Sequence, residues 1–317
     1  SENGNHVVVI DKNRKALQDL EAGRVPFYEP GADSKLAKAL TESKIQFSQD
    51  IAMVAKASVV IVVIGTPVGH HGFPESATFL QLVEQLLHYM APDSLLLLRS
   101  TVAPGTTERV DKLIAHEGKK IHLAYCPERI AEHQAFEELK TIPQLVAGAS
   151  LHAQELASNL FAGLGSDIVP MQPLEAELGK LFANSWRYSK FAVANEFRMI
   201  CDEHGVDYEQ IRQAISHDYP RAADLPKSGL AAGPCLPKDT QQLISSVALT
   251  LPVLRGALTT NEDLAKYIRR IVMNLAPSSA TVGILGMSFK PRSDDIRDSL
   301  AYRIKKEVSS RFDRVLC

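Results

Sequence analysis

The sequence predicts an α/β fold: a doubly wound parallel sheet, then a helical region, then the start of a second α/β domain. Three observations predict it. Short apolar runs alternate with stretches of helical periodicity as far as about residue 170, which is typical of strands buried on both faces. Only helical periodicity follows for roughly a hundred residues, and strand-like runs return near Thr281. The predicted domains are residues 1–170, 171–276 and 277–317.

The first domain contains repeated strand and helix patterns. Strands are predicted at residues 6–10, 59–64, 95–98 and 121–125. Helical spacing follows the first two strands, beginning near Arg14 and Phe79. After the third strand a Pro104-Gly105 turn precedes another helix, and Thr106 or Thr107 is the predicted N-cap of that helix.

The central region predicts one long helix with little free surface, as is typical of a helix that lies between domains or subunits. Its apolar residues recur at helical spacing: Leu178, Leu181, Phe182, Trp186, Phe191, Val193, Phe197 and Ile200. Near Pro277 a linker-like stretch leads into the third domain. There we expect a strand at residues 281–285, a helix that ends at Arg311, and a second strand at Arg314–Leu316.

Composition and charge exclude several classes of protein. Lys and Arg number 35 against 37 Asp and Glu, so there is no basic field that would bind a phosphate backbone, and we expect no nucleic-acid partner. The four cysteines form no Cys-x-x-Cys pair and His70-His71 lacks a third ligand, so neither a disulfide framework nor a metal site is expected. No apolar run approaches the roughly 20 residues that cross a bilayer, and we expect no membrane partner and a cytoplasmic location.

Cys235 lies in a Gly-Pro-Cys-Leu-Pro-Lys-Asp segment that begins at Gly233. A thiol near a lysine or a helix N-terminus loses its proton more readily and becomes a nucleophile. For a single cysteine considered alone, a buried structural role is the more common outcome.

Glu177, Lys180 and Asn184 have the spacing of one helix face. A lysine and an asparagine on such a face donate hydrogen bonds to a developing oxyanion, although a solvated polar stripe is the more common meaning of the pattern. Three further loops leave the carboxyl ends of the predicted strands, where open α/β sheets bind ligands. They contain Thr66-Pro67, Ser100-Thr101, and Pro127-Glu128-Arg129 with Glu132.

Asp11 stands at the end of the first predicted strand. In dinucleotide-binding domains the acid that binds a ribose hydroxyl has the same position, about 20 residues beyond a Gly-x-Gly-x-x-Gly turn. Only ten residues precede Asp11, and the last domain has too few strands to close a core. We therefore expect a chain trimmed at both ends, with the first strand and the glycine-rich turn outside it.

Together the motifs resemble the UDP-glucose/GDP-mannose dehydrogenase family along essentially the whole chain. The matching segments are residues 28–31, 65–67, 100–106, 177–184 with Asn195-Glu196, 233–239, and 286–290 with 294–299. The resemblance implies a Rossmann-like NAD domain, a central all-helical dimerisation domain with one long helix, and the start of a second Rossmann-like domain that binds UDP. His133 stands where the family commonly has glycine.

The resemblance also implies an NAD-dependent, two-step oxidation of the C6 alcohol of a UDP-sugar to a UDP-uronic acid, in a homodimer built on the long helix. Cys235 would form the thiohemiacetal and thioester, Lys180 and Asn184 would stabilise oxyanions, Asp239 would orient Lys180 or the water, Glu132 would act as base and Thr101 would hold the water. The implied cofactor-binding residues are Asp11, Arg14, Thr66, Pro67, Ser100 and Thr101. The implied substrate-binding residues are Glu128, Arg129, Arg221, Gly233, Lys290 and Arg297.

Pro127-Glu128-Arg129-Ile130 and Gly233-Pro234-Cys235-Leu236 are more similar to family members that act on UDP-N-acetylmannosamine or UDP-N-acetylglucosamine than to the UDP-glucose enzymes. Three alternatives stay open at this point. They are a UDP-glucose 6-dehydrogenase, an enzyme similar to the β-hydroxyacid dehydrogenases with the helix lysine as sole catalyst, and a catalytically incomplete fragment that acts as a binding or dimerisation module.

Overall fold

The computed structural model describes residues 4–66, 76–291 and 293–317. The described chain divides into two compact units. The first contains residues 4–66 and 76–180, and the second contains residues 181–291 and 293–317.

The first unit confirms the predicted alternation of strands and helices. Its elements are β1 (Val7–Ile10), α1 (Arg14–Glu21), α2 (Ala32–Thr41), β2 (Ile45–Ser48), a 3₁₀ helix (Ile51–Lys56), β3 (Val59–Val62), α3 (Ser76–Tyr89), β4 (Leu95–Leu98), α4 (Thr106–His116), β5 (His122–Tyr125), α5 (Ala135–Thr141), β6 (Gln144–Gly148), α6 (Leu151–Ala162) and β7 (Ile168–Pro170). The long helix α7 (Pro173–Glu203) starts in this unit and continues into the next.

Strands β3 to β7 form one sheet in chain order, and β1 and β2 form a separate parallel pair. Every residue of β4 is buried, as expected for a strand covered on both faces. The prediction of a wholly parallel sheet is wrong at one place, because β5 and β6 pair antiparallel. The connection between them is mostly loop at the carboxyl end of the sheet, where Gln144 at the start of β6 meets Arg99 at the end of β4. The chain therefore enters β6 from the edge at which it left β5.

The second unit is mainly helical, as predicted. Beyond the remainder of α7 it contains α8 (Tyr208–Ser216), α9 (Leu236–Ser245), α10 (Pro252–Leu275), β8 (Thr281–Gly283), α11 (Leu300–Ser309) and β9 (Arg314–Leu316). β8 and β9 pair in parallel. Helices α10 and α11 pack beside them around a small core of Ala265, Ile304, Val308 and Phe312.

Helix α7 is one continuous helix of 31 residues, which confirms the predicted long helix. The expectation that it has little free surface is wrong for the single chain. Leu181, Tyr188 and Ala192 are buried, whereas Phe182, Trp186, Val193, Phe197 and Ile200 are exposed. The unit needs only one face of the helix for its own core, so the other apolar face is left on the surface.

None of the described helices is both long enough and apolar enough to cross a bilayer. No group of three or more His, Cys, Asp or Glu side chains in the described ranges could hold a metal ion. His70 and His71 lie outside the described residues.

Candidate active site

Cys235 is an exposed thiol at the N-cap position of α9. The first-turn amides of a helix carry partial positive charge, so this position favours an anionic sulfur. Two residues earlier, Gly233 has a left-handed φ of +94° and donates its N–H to Asp298 O at 3.2 Å. A Cβ atom at Gly233 would lie 2.6 Å from the ring of Phe289, so glycine is required there by both conformation and space.

Asp239 lies one turn beyond Cys235 and is completely buried. Its Oδ2 accepts a hydrogen bond from Asn184 Nδ2 at 2.6 Å, and its Oδ1 lies 2.8 Å from Lys238 Nζ. The structure thus brings together two of the predicted catalytic residues, one from α7 and one from α9. The hydrogen bond fixes the orientation of the Asn184 amide. The buried Oδ1 forms an ion pair with Lys238 but accepts no hydrogen bond from the described residues.

Asn195 has no predicted chemical role, but its side chain holds the segment that leads to Cys235. Its Nδ2 donates to Gly229 O at 3.0 Å, and Gly229 N donates to its Oδ1 at 2.8 Å. The same Nδ2 donates to Asn261 Oδ1, and Asn261 Nδ2 donates to Tyr188 O, both at 3.0 Å. Asn195 and Asn261 are buried, so this network fixes the loop through groups that have no water to compete for them.

In the first unit, Glu177 is buried with 1% of its surface exposed. It accepts hydrogen bonds from Gly105 N at 2.6 Å, Thr107 N at 2.7 Å and Thr107 Oγ1 at 2.6 Å. The prediction that Thr106 or Thr107 is the N-cap of α4 is wrong. Gly105 is the N-cap, with φ +84° and no side chain to accept a hydrogen bond. The carboxylate of α7 supplies the missing acceptor instead. Burial raises the pKa of Glu177, although these hydrogen bonds oppose the rise.

Lys180 is half-buried and follows Glu177 on α7 in the first unit. Since Glu177 is fixed on the loop that begins at Ser100, the start of α7 is joined to the loop after β4. That loop is tied to the loop after β3 as well. Ser100 Oγ donates to Ile64 O at 2.7 Å, and Thr66 Oγ1 donates to Thr101 O. Ser100, Thr101 and Thr66 therefore lie close together at the carboxyl edge of the sheet, and Pro67 lies outside the described residues.

Asp11 and Arg14 are exposed beyond the carboxyl end of β1. Asp11 Oδ1 accepts a hydrogen bond from Asn13 N at 2.7 Å, and its carboxylate retains sites for further donors. An exposed carboxylate at the carboxyl end of a parallel strand fits the hydroxyl groups of a ribose. The hydroxyl-bearing loops after β3 and β4 belong to the same unit. The donors and acceptors present in this unit therefore fit a nucleotide cofactor.

Arg99 and Glu128 form a salt bridge at the end of β4, a contact that sequence reasoning missed. The Arg99 guanidinium is largely buried and lies over the Phe161 ring, 4.8 Å from its centroid. Glu128 Oε1 accepts hydrogen bonds from the N–H groups of Arg129 at 2.7 Å and Ile130 at 3.0 Å. Burial favours the neutral form of Glu128, but the charge of Arg99 and these hydrogen bonds outweigh it and lower the pKa of the carboxyl group.

The other predicted site residues are placed as follows. Glu132 is exposed on the loop between β5 and α5, and Arg129 Nη2 donates to Pro143 O. Arg221 is exposed and its Nε donates to Tyr219 Oη at 2.8 Å. Lys290 Nζ lies 5.4 Å from the centroid of the Phe289 ring, and Arg297 Nη2 pairs with Asp295 Oδ2 at 2.6 Å.

Two family models match the chain. One, described as the NAD binding domain of the UDP-glucose/GDP-mannose dehydrogenase family, matches residues 1–164, and one described as the central domain of that family matches residues 174–263. Among curated relatives, a UDP-N-acetyl-D-mannosamine dehydrogenase from Pyrococcus horikoshii is 28% identical over 98% of this chain and 77% of its own length. A UDP-glucose 6-dehydrogenase from Pseudomonas aeruginosa is 29% identical over 94% of this chain and 70% of its own length.

Solved structures give the same result. The structure of the UDP-D-ManNAc dehydrogenase of Pyrococcus horikoshii superimposes with a TM-score of 0.92 at 25% identity and covers 99% of this chain and 78% of the solved one. A UDP-glucose dehydrogenase from Pyrobaculum islandicum gives a TM-score of 0.90 at 26% identity, over 99% and 76% of the two chains. The α/β fold with a helical central region is therefore shared with these enzymes.

Proposed function

The chain belongs to the UDP-glucose/GDP-mannose dehydrogenase family, and from this premise we propose that it oxidises the C6 alcohol of a UDP-sugar to a carboxylate in two NAD-dependent steps. The observation that carries the proposal is the exposed Cys235 at the N-terminus of α9, one turn from the hydrogen-bonded pair of Asn184 and Asp239. A single alcohol-to-aldehyde oxidation requires no thiol. An aldehyde becomes a hydride donor again only after a nucleophile has added to it.

NAD, when bound, accepts one hydride in each oxidation. In the first step the alcohol loses its hydroxyl proton and a hydride from C6, and Lys180 and Asn184 stabilise the oxygen as it becomes anionic. The Cys235 thiolate then bonds to the aldehyde carbon, the carbonyl oxygen takes up a proton as the C=O π bond breaks, and a thiohemiacetal results. Loss of the second hydride from C6 and of the hydroxyl proton leaves a thioester.

Water completes the reaction. Glu132 takes a proton from the water as its oxygen bonds to the thioester carbon, the carbon–sulfur bond breaks, and the Cys235 sulfur leaves as the thiolate. The sum is one alcohol, one water and two NAD converted to one carboxylate, two NADH and three protons. In this proposal Thr101 holds the water, and Asp239 orients Lys180 or the water. The buried hydrogen bond between Asp239 and Asn184 supports an orienting role for Asp239.

We assign cofactor binding to Asp11, Arg14, Thr66, Pro67, Ser100 and Thr101. The position of Thr66, Ser100 and Thr101 beyond the carboxyl ends of β3 and β4, and of Asp11 and Arg14 beyond the carboxyl end of β1, supports this. We assign substrate binding to Glu128, Arg129, Arg221, Gly233, Lys290 and Arg297. The four cationic side chains in this set suit a diphosphate. For Glu128, whose oxygens already engage Arg99 and two backbone amides, we assign the role of shaping the loop that meets the substrate.

For the sugar we propose an N-acetylhexosamine, UDP-N-acetylmannosamine or UDP-N-acetylglucosamine, on the Gly-Pro-Cys and Pro-Glu-Arg segments. UDP-glucose is the alternative, because relatives of both specificities match the chain at similar identity. We also propose a homodimer formed through α7. The exposed apolar face of this helix, with Phe182, Trp186, Val193, Phe197 and Ile200, is the kind of surface that a second subunit covers.

The experiment is a search for the covalent intermediate. The enzyme is mixed with NAD and each UDP-sugar, quenched during turnover, and examined by intact mass and peptide mapping. We expect an acyl adduct on Cys235 with the active sugar, and a loss of more than about 1000-fold in turnover for Cys235→Ser. Cys317→Ser is the matched control, since Cys317 is also exposed. A Cys235→Ser enzyme that makes the carboxylate at the normal rate would refute the thioester route.

A further inference from the structure

The Tyr28-Glu29-Pro30-Gly31 turn has no part in the proposed chemistry, although it is one of the motifs that carry the family resemblance. The turn leads into α2. Gly31 is the N-cap of that helix in the left-handed conformation, with φ +81°, and Ala32 N donates to Glu29 O at 3.0 Å. This geometry fixes the backbone of Glu29, and the side chain extends away from the turn.

The Glu29 carboxylate hydrogen-bonds to the loop that contains Glu132. Its Oε2 accepts from His133 N at 2.8 Å, and its Oε1 accepts from Ala135 N at 3.0 Å. More than a hundred residues separate the two segments in sequence. The contacts fall on the residue directly after Glu132 and on the first residue of α5, so they determine where the backbone at Glu132 lies.

Two other carboxylates hold the rest of this loop, residues 128–135. Glu128 Oε1 accepts from Arg129 N and Ile130 N, and Glu138 Oε2 accepts from Ala131 N at 2.5 Å. Three carboxylates together satisfy five backbone N–H groups, those of Arg129, Ile130, Ala131, His133 and Ala135. Hydrogen bonds from amides to ionised acceptors are the stronger kind, so the loop has a defined shape without regular secondary structure.

His133 adds a second reason for the Glu29 contact. It has a left-handed φ of +69°, a conformation that is unfavourable for a non-glycine residue. Its ring stacks on that of Tyr28 with centroids 5.5 Å apart, next to the hydrogen bond from its N–H to Glu29. Lys35 on α2 likewise lies over the Phe136 ring, 4.8 Å from its centroid. The turn and α2 therefore hold the loop by one carboxylate and two side-chain contacts.

We propose that Glu29 is a positioning residue for the hydrolytic step: it holds the 128–135 loop so that Glu132 is placed to activate water. The inference rests on the proposed function, in which Glu132 is the base. Glu29 itself touches neither substrate nor cofactor in this assignment. If Glu29 only stabilised the fold, its substitution would lower the free energy of unfolding and slow every step together. If Glu29 positions Glu132, its substitution slows hydrolysis selectively.

The test compares Glu29→Gln with Glu137→Gln. The first variant places an amide NH₂ where one backbone N–H needs an acceptor, and the second makes the same charge change on α5 at an exposed side chain. For Glu29→Gln we expect amide hydrogen exchange at His133 and Ala135 to become faster. We also expect hydrolysis to slow by about 10- to 100-fold, while single-turnover formation of the first NADH stays within about 3-fold. The acyl adduct on Cys235 then accumulates during turnover, and Glu137→Gln behaves as the unaltered enzyme.

Two results overturn the proposal. One is normal hydrolysis in Glu29→Gln despite faster exchange in the loop, and the other is an equal loss in both oxidations and hydrolysis with no accumulated adduct. If Glu29→Gln does not fold, Glu138→Gln removes the acceptor for Ala131 N on the other side of Glu132 and is held to the same criteria. Absence of any UDP-sugar oxidation by the unaltered enzyme would instead refute the proposed function, and the hydrolytic role of Glu29 with it. The exchange data would still report whether Glu29 holds the loop.

Discussion

Buried or half-buried carboxylates hold the proposed active-site segments through specific partners. Asp239 fixes the amide of Asn184, Glu177 fixes the loop after β4, and Glu128 fixes its own loop against Arg99. Removal of one partner from such a pair leaves the other unsatisfied, so these residues are more sensitive to substitution than exposed charges.

The Arg99–Glu128 pair gives a prediction about pH. A double-mutant cycle with Arg99→Met and Glu128→Gln is expected to show a coupling of about 0.5–3 kcal/mol at neutral pH. Because folding lowers the pKa of Glu128 below its ordinary value of 4.5, its stabilising contribution is complete above that value. The contribution is lost as the pH falls through the lowered pKa of the folded state. Urea unfolding of the four proteins across the acidic range measures the coupling, and a coupling that stays constant as the solution is acidified would contradict the ion pair.

At the residue scale, sequence motifs identified side chains with chemical roles more readily than their supporting partners. Asn184 and Asp239 were predicted and do meet. The contacts of Arg99 and Asn195 were missed, because a partner 29 or 34 residues away leaves no periodic signal in one sequence. The glycine usual at the position of His133 was a usable signal, since the left-handed φ found there is the conformation that glycine favours.

Helix α4 begins without a capping side chain of its own and depends on Glu177 of α7. Glu177→Gln is expected to lower the free energy of unfolding by about 1–3 kcal/mol, because the amide NH₂ would face a backbone N–H and leave it without an acceptor. Glu108→Gln is the control on the same helix, because its exposed carboxylate pairs with Lys112 and a much smaller change in the free energy of unfolding is expected. Equal effects of the two substitutions would show that Glu177 does not cap α4.

Elements with strong patterns were predicted and weak ones were not. The strands at residues 59–62 and 95–98 and the long helix have uninterrupted apolar or helical periodicity. Strands β2, β6 and β7 were missed because a glutamine, serine, glycine or proline shortens the apolar run in each of them. The antiparallel pairing of β6 depends on where the preceding loop leaves the chain, which is a tertiary property that periodicity does not contain.

At the scale of the whole molecule, the exposed face of α7 predicts self-association. Trp186 is 60% exposed and is the largest side chain on this face, and aromatic anchors dominate interface energies. Trp186→Asp is expected to weaken the dimer by about 30-fold or more, which corresponds to about 2 kcal/mol. Sedimentation equilibrium measures this. Leu151→Asp is the control, since Leu151 is 81% exposed in the other unit, and a monomeric unaltered chain would contradict the proposed dimer.

The number of NADH molecules formed per UDP-sugar consumed tests most directly whether the enzyme carries out a two-step oxidation through a thioester. The panel consists of UDP-N-acetylmannosamine, UDP-N-acetylglucosamine and UDP-glucose, each supplied in limiting amount with excess NAD. We expect a ratio of two on one of the N-acetylhexosamine substrates, with the carboxylate as the sole sugar product. A ratio of one with release of the aldehyde, or no NADH from any of the three sugars, would contradict it.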